Sequence, residues 1–413
     1  ADADADANAP RPWVVMVPFA LPGETVRVRV YRNCRSYSQA DLVEVLQPSK
    51  TRTAPVCALF TQCDGCQYQH LDYSAQLAWK TQQVAYLLER AGKLSDLPIS
   101  AIIRPAVGSP KQFGYRTKIT PHFQYTAEGV PEIGFRLHGT KSKIVDVPLC
   151  PIASDAINEA LPAVREAAVE SNERKKLEVA LHKAAGRRDI RNRMTGATLL
   201  LRHANEGVVT DCKVQVTETV GDLTLAFQAG SFFQNNPHTL PLLVDHVVRH
   251  AVATKGGRQC TQLIDAYCGS GLFALSAAKY FEEVVGIETA KPSVDSAKAN
   301  AAANGIKNAR FIGGSAESIF AQVPFSGQDT SVVIDPPRRG CDQLFLTQLL
   351  NFRPQRIVYV SCGPDTLARD LVVLVNGGYE LKHVQPFDMF PQTRHIESVA
   401  VLELNEEDVD ETP

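Results

Sequence analysis

The sequence predicts an α/β protein with a C-terminal doubly wound, Rossmann-like domain, a central α+β domain and a small N-terminal β-barrel. Three observations lead there. From residue 261 onward, short apolar runs ("QLIDAY", "EVVGIE", "RFIGG", "DTSVVIDPP", "RIVYVSC") alternate with helical stretches, as parallel strands buried on both faces do. The last two runs, "YELKHVQPF" and "SVAVLEL", leave no room for a crossover helix, so they form an antiparallel pair at one edge of the sheet. Near the N-terminus, "WVVMVPF" (13–19), "TVRVRVY" (25–31) and "ADLVEVLQ" (40–47) are β-rich segments separated by "LPGE" and a polar loop, which favours a small barrel.

A chain of 413 residues exceeds what one core supports, so several compact units are expected. The boundaries read as an acidic tail (1–10), the barrel (11–54), the central domain (55–235), the doubly wound domain (236–405) and a second acidic tail (406–413). In the barrel, Val alternates with Arg27 and Arg29, giving one apolar face and one basic face open to solvent or to RNA phosphate. After a cysteine-rich knuckle comes an amphipathic helix from about Ser74 to Arg90, and a helix from about Pro237 to His250 leads into the doubly wound part. No run approaches the roughly 20 apolar residues that span a bilayer, so no membrane partner is expected.

Net charge is −2, which by itself argues neither for nor against a nucleic-acid partner. The charge is clustered, however: "RVRVYRNCR" (27–35) and the stretch 174–193 are basic. Ten cysteines are too sparse and too unevenly grouped for a disulfide scaffold, so an intracellular, reduced setting with some metal-bound thiolates is expected. The first residue is Ala rather than Met, which reads as a trimmed chain and leaves cytoplasm, nucleus and mitochondrion open.

Chemistry gathers at the carboxyl ends of the predicted strands, where open α/β sheets bind ligands. In "LIDAYCGSGLFALSAA", Gly269 and Gly271 let the backbone approach a ligand, and Glu288 ends the next strand where an acid can bind ribose hydroxyls. Gly269, Gly271 and Ala274 also satisfy the dinucleotide fingerprint, which makes hydride transfer the competing chemistry. Against a dehydrogenase stand "DPPRRG" (335–340), which puts Asp335 at the sheet edge, Cys362 after the fifth strand, and the closing antiparallel pair typical of S-adenosylmethionine methyltransferases.

Cys362 sits where a buried strand hands over to a helix, whose positive end should help to ionise a thiol of ordinary pKa about 8.5. Glu397, just before the last strand, is a candidate base, with His395 as its rival or its orienting partner. A thiol, a base and a methyl donor in one crevice are what C5 methylation of uracil requires. The thiolate adds to C6, C5 becomes nucleophilic, and a base removes the C5 proton.

The segments "SFFQNN", "DAYCGSG", "DPPRRG", "IVYVSCGPDTLARD" and "DMFPQTRHIESV", in this order, resemble the RNA uracil-5-methyltransferase family, which makes 5-methyluridine in transfer and ribosomal RNA. The resemblance covers nearly the whole chain, because residues 13–52 also resemble the RNA-binding TRAM barrel of many members. It implies a class I methyltransferase domain, Cys362 as nucleophile and Glu397 as proton acceptor. It further implies that Gln234, Tyr267, Glu288 and Asp335 bind S-adenosylmethionine, with Phe232 placed to stack on a flipped uridine. Leu272 departs from the Asn of many members, which would lose one polar contact to the cofactor.

Cys57, Cys63 and Cys66 form a C-x5-C-x2-C group that Cys150 can complete, unlike the paired C-x2-C knuckles of a zinc ribbon. Three clustered thiolates with a remote fourth suit a cubane cluster, and cluster-bearing family members share the arrangement, so [4Fe-4S] is expected, with zinc as the alternative. Cys34, Cys212, Cys260, Cys268 and Cys341 read as packing or surface thiols. The pattern is most similar to fungal members that act on the T-loop uridine of tRNA, so tRNA is the expected RNA, with rRNA as the alternative and a monomer as the expected state. A non-catalytic RNA-binding or folding protein that retained the fold is the rival reading, and the intact Cys362 and Glu397 argue against it.

Overall fold

The computed structural model describes residues 13–184, 197–253, 259–314, 320 and 323–405. The acidic ends 1–10 and 406–413 and residues 185–193 of the basic stretch lie outside the described residues. Among the described residues no helix is long and apolar enough to cross a membrane.

Strands β1 (Val14–Met16), β2 (Thr25–Asn33) and β3 (Tyr37–Gln47) form a three-stranded sheet in the order β1-β3-β2. The region is β-rich as expected, and its described strands pair in one curved sheet. Three register shifts between β2 and β3 bend it, as bulges do. Arg27 pairs with Glu44 and Arg29 with Asp41 on the neighbouring strand, so acids already match the charge of the basic face. These exposed pairs add little stability. Arg52 is the firmer tie: its Nη2 reaches Glu24 at 2.7 Å and the Phe19 carbonyl at 2.7 Å. That contact holds the Glu24 carboxyl down at about 2.

Helix α1 (Tyr73–Glu89) starts at Asp72, whose side chain accepts the Ala75 N–H. It buries Gln76, Lys80, Val84 and Leu88, a stripe at four-residue spacing that includes a lysine. After α2 (Ile99–Ile102) come β4 (Lys118–Ile119), β5 (His122–Tyr125), β6 (Pro131–Arg136), β7 (Ile144–Asp146) and α3 (Asp155–Ala184). Strands β8 (Ala197–Thr198), β9 (Leu201–Ala204) and β10 (Gly207–Val209) complete two small sheets, β7-β6-β5-β8 and β10-β9-β4. A hairpin, β11 (Gln215–Val220) and β12 (Leu223–Gln228), precedes α4 (Leu240–Val252).

The C-terminal part alternates as its sequence predicts: β13 (Gln262–Ala266), α5 (Leu272–Ala277), β14 (Glu283–Glu288), α6 (Lys291–Ala303), β15 (Ala309–Gly313), β16 (Thr330–Ile334), α7 (Gln343–Phe352), β17 (Arg356–Ser361), α8 (Pro364–Asn376), β18 (Tyr379–Phe387) and β19 (Glu397–Leu404). The seven strands lie in the order β15-β14-β13-β16-β17-β19-β18, and β19 runs antiparallel to both its neighbours. The last strand therefore inserts between β17 and β18. Alternate residues of β17 face opposite layers, with Ile357 and Tyr359 in one core and Val358 and Val360 in the other. The first core takes Val84 and Leu88 of α1 with Ile99 and Ile102 of α2, and the second takes Val216, Leu225 and Phe227 of the hairpin together with α4.

The loop 388–396 joining β18 to β19 is pinned from outside the sheet. Lys80 Nζ pairs with Asp388 Oδ1 at 2.7 Å, both side chains 0% exposed, and also donates to the Phe390 carbonyl at 3.1 Å. Gln76 and Gln392 exchange two hydrogen bonds of 3.0 and 3.1 Å, and the Tyr115 hydroxyl donates to the Pro391 carbonyl. Gln392 takes a left-handed φ of 68°, a strain these contacts hold in place. Replacing Lys80 by Met leaves a buried carboxylate without its partner, which is expected to cost about 3–5 kcal/mol in urea unfolding. The double variant Lys80→Met/Asp388→Leu removes both charges and is expected to recover most of that loss; equal losses in both variants would assign the effect to packing.

Candidate active site

Strand β13 marks the point where the order of the sheet reverses, and ligands bind at such a crevice. Ala266 lies beside Ile287 on one neighbour and Ile334 on the other. The residues that follow them, Tyr267, Glu288 and Asp335, therefore leave the sheet side by side. Tyr267 has φ 65°, left-handed for a non-glycine residue, and Gly269 and Gly271 follow at 55° and 92°. A Cβ on Gly269 would meet no atom within 4 Å, whereas one on Gly271 would press on Leu275 at 3.1 Å and Phe311 at 3.2 Å. Gly269 thus opens onto the crevice while Gly271 is needed for packing.

Glu288 Oε2 accepts the Gly269 N–H at 3.1 Å, and Oε1 accepts the Ala290 N–H at 2.8 Å. The carboxylate is oriented before any ligand arrives. Leu272 begins α5 and is buried in the core. Cys268 is likewise core, as the sequence indicated.

On the other side of the crevice, β17 and β19 pair Ser361 with Ser398 in antiparallel register. Cys362, one step beyond Ser361, therefore falls opposite Glu397, one step before Ser398. Glu397 is 2% exposed, and burial together with the Asp335 charge pushes its carboxyl well above the usual range against the pull of Arg338. Burial pushes Asp335 up to about 7. The Cys362 thiol is half-buried and pushed up to about 11, by burial first and then by Glu397 and Asp335. The expected relief from the positive end of α8 is outweighed, first by burial and then by the two carboxyl groups on the other side.

Arg338, in "DPPRRG", is the counterweight, lowering the thiol's pKa by charge and by a hydrogen bond to it. The motif drew attention to Asp335, and Arg338 was missed because nothing local shows that residues 338 and 362 meet. His395 Nδ1 lies 3.3 Å from Arg338 Nη2 and must accept from that guanidinium, so the ring is neutral, in line with a pKa held down at about 4 by burial and Arg338. His395 is thus engaged with Arg338.

The "SFFQNN" segment is anchored from several sides. Phe233 stacks on Phe227 at 4.3 Å, Asn235 Oδ1 accepts from Arg202 at 3.0 Å, and Asn236 Nδ2 donates to the Met389 carbonyl at 3.2 Å in the loop before Glu397. Gln234 is buried between these anchored residues, and Phe232 is left 74% exposed.

Cys57, Cys63, Cys66 and Cys150 line one cavity of about 430 Å³, whose wall also includes Arg116, Arg338, Thr393 and His395. Burial pushes Cys63 up to about 11 and Cys66 up to about 12, and raises Cys150. Neighbouring thiols add to the shifts of all three, the mark of a shared site. The knuckle is bonded to the loop before Glu397: the Gln67 and Tyr68 N–H groups donate to the Gln392 carbonyl, and Arg394 N–H to Gln67 Oε1.

The family model for tRNA (uracil-5-)-methyltransferases matches residues 175–405, more than half of the chain. The chain belongs to this family. It is 39% identical over 412 residues to a tRNA (uracil(54)-C(5))-methyltransferase of Schizosaccharomyces pombe, covering 94% of this chain and 73% of the relative. The enzyme of that name from Saccharomyces cerevisiae is 33% identical over 468 residues, covering 97% of this chain and 70% of its own. Among solved structures, the Pyrococcus abyssi tRNA (uracil-54, C5)-methyltransferase in complex with S-adenosyl-L-homocysteine matches with TM-score 0.68 at 25% identity, over 94% of this chain and 95% of that one.

A second polar residue of this tRNA (uracil-5-)-methyltransferase family member, besides Arg338, escaped the sequence reading. Asp265 is fully buried in β13, and its Oδ2 accepts the Ala274 N–H at 2.8 Å, capping α5 in place of the side chain that Gly271 lacks. An acid inside the apolar run "LIDAY" was the available signal. Burial pushes Asp265 up to about 8 from an ordinary value near 4. The folded chain therefore holds a proton that the unfolded chain releases, so stability falls as pH rises from about 4 to about 8. Asp335 and Glu218, both pushed up to about 7, act in the same direction. Asp265→Asn keeps an acceptor for the cap and is expected to flatten, without abolishing, the fall in melting temperature between pH 5 and pH 8; an unchanged slope would refute the assignment.

Proposed function

We propose that the protein is an S-adenosylmethionine-dependent methyltransferase that converts a tRNA uridine to 5-methyluridine, at position 54 as in its named relatives. The observation that carries this reading is the β17–β19 register that sets Cys362 opposite Glu397 at the cofactor crevice. The residues fit the cofactor: Gly269 opens onto the crevice, Glu288 presents an oriented carboxylate for ribose hydroxyls, and Tyr267, Asp335 and Gln234 complete the set. When bound, the cofactor supplies an electrophilic methyl group.

Cys362 gives its proton to solvent water, which reaches the half-buried thiol, and bonds to C6 of the uracil, moving the ring electrons toward O4 and making C5 nucleophilic. Arg338 stabilises the thiolate, which the two carboxyl groups alone would disfavour. After methylation Glu397, in its carboxylate form, takes the C5 proton, and its raised basicity favours that step. The C6–S bond then breaks and Cys362 leaves as thiolate. Phe232, exposed at the rim, stacks on the base as it leaves its RNA stack. Residues 11–54 serve as a TRAM-like RNA-contact module, 55–235 as the central domain and 236–405 as the methyltransferase domain, in an intracellular enzyme.

Cys57, Cys63, Cys66 and Cys150 are proposed to hold a [4Fe-4S] cluster. The four thiols line one cavity of about 430 Å³, and three clustered cysteines with a remote fourth suit a cubane. Its place behind Arg338, His395 and Thr393 points to support of the RNA-facing loop.

A tRNA transcript with 5-fluorouridine at position 54 is expected to form a covalent complex with the wild type and none with Cys362→Ala; a complex that survives in that variant would refute the nucleophile. Glu397→Gln is expected to slow turnover about 10²–10⁴-fold and to accumulate methylated adduct on unmodified tRNA. Turnover near the wild-type rate would move the base elsewhere. Anaerobically purified protein is expected to contain about four irons per chain and a broad absorbance near 400 nm, both lost in Cys150→Ser; one zinc and no iron would exclude the cluster.

A further inference from the structure

Helix α4 carries His246 and His250 one turn apart, and β18 sets His383 against both. Ring centroids lie 4.4 Å apart for His246–His250, 4.4 Å for His250–His383 and 5.6 Å for His246–His383. One nitrogen from each ring lies within 4.8 Å of the other two. His246 and His383 are 5% and 6% exposed, and the Nε2 of each is buried with no hydrogen-bond partner among the described residues. Cores rarely leave two imidazole nitrogens orphaned side by side. His250 is less buried and gives the trio a route to solvent.

His383 faces α4 because of a local irregularity. The register of β18 against β19 steps from Leu381↔Leu402 to His383↔Val401, leaving Lys382 as a bulge. Without it, His383 would share the face of Tyr379 and Leu381; with it, Val384 joins their core and His383 turns to the layer that contains α4 and Phe387. A bulge that re-aims one side chain is a feature of functional positions.

The surroundings define the ligand. Phe387 walls the trio at 5.2 Å from His246. Beside it, Arg356 Nη1 donates to the His250 carbonyl at 3.2 Å. Arg249 is paired with Asp245 and Arg356 with Glu403. The pairing offsets the charge of both arginines, and an all-nitrogen donor set disfavours Mg²⁺ and Ca²⁺, while imidazole suits zinc and its neighbours.

The geometry points to a second metal site, in which His246, His250 and His383 bind a transition-metal dication of the zinc class and staple α4 to the edge strand β18. An ion with metal–nitrogen bonds of about 2.1 Å needs the nitrogens about 3.4 Å apart, which small ring rotations from the present arrangement supply. Three histidines leave a fourth position for water.

Equilibrium dialysis of the iron-loaded protein against micromolar Zn²⁺, followed by metal analysis, tests this. The wild type is expected to retain one more zinc per chain than His250→Ala, with binding at least tenfold tighter, and His250→Asp, which restores a ligand, is expected to regain the ion. Zinc-edge X-ray absorption of the wild type is expected to show a nitrogen and oxygen shell near 2.0–2.1 Å. Equal zinc in wild type and His250→Ala, no zinc in either, or a sulfur-only shell would overturn the site. The absorption measurement decides even if a histidine variant fails to fold.

Discussion

The active site depends on a buried ion pair that takes no part in its chemistry. Lys80 and Asp388 lie 308 residues apart in sequence and meet at 2.7 Å with no solvent access. Burying two charges is costly, and such a pair contributes more to specifying one arrangement than to net stability. Here the arrangement specified is the loop before β19. With Asp388, Phe390, Pro391 and Gln392 all held by α1 and Tyr115, the strand that follows can enter the sheet in only one register, and that register brings Glu397 to Cys362.

The site this creates is electrostatically tense. Two carboxyl groups and a thiol share one crevice, where burial first, and then Asp335 on Glu397 and both carboxyl groups on the thiol, raise proton affinity. Arg338 is the cation that offsets them. Cys362 and Glu397, the proposed nucleophile and base, both hold a proton more tightly than an exposed thiol or carboxyl would. The same Arg338 and His395 also wall the four-cysteine cavity, so the knuckle and the crevice are two sides of one wall.

The cofactor side is built differently. Its geometry comes from backbone: left-handed Tyr267 and Gly269, the close packing of Gly271, and the capping of α5 by Asp265. Glu288 then ties the end of β14 to that turn. Most of these contacts lie within about 25 residues of chain, and for that reason the turn could be read from the sequence.

What the sequence determined by itself was local: the alternation of strands and helices, the glycine turn, the acid ending β14, the late carboxylate and the grouping of cysteines. Periodicity and short motifs encode these directly because their partners are neighbours in the chain. What only the tertiary structure decided was non-local. The insertion of β19 between β17 and β18, the meeting of Arg338 with Cys362, the upward shift of that thiol, the pairing of Arg27 and Arg29 with acids, and the bulge that turns His383 toward α4 each depend on register or burial set by residues far away. A one-residue change of register would reverse every side chain on a strand, and no local pattern records which register the distant Lys80 enforces.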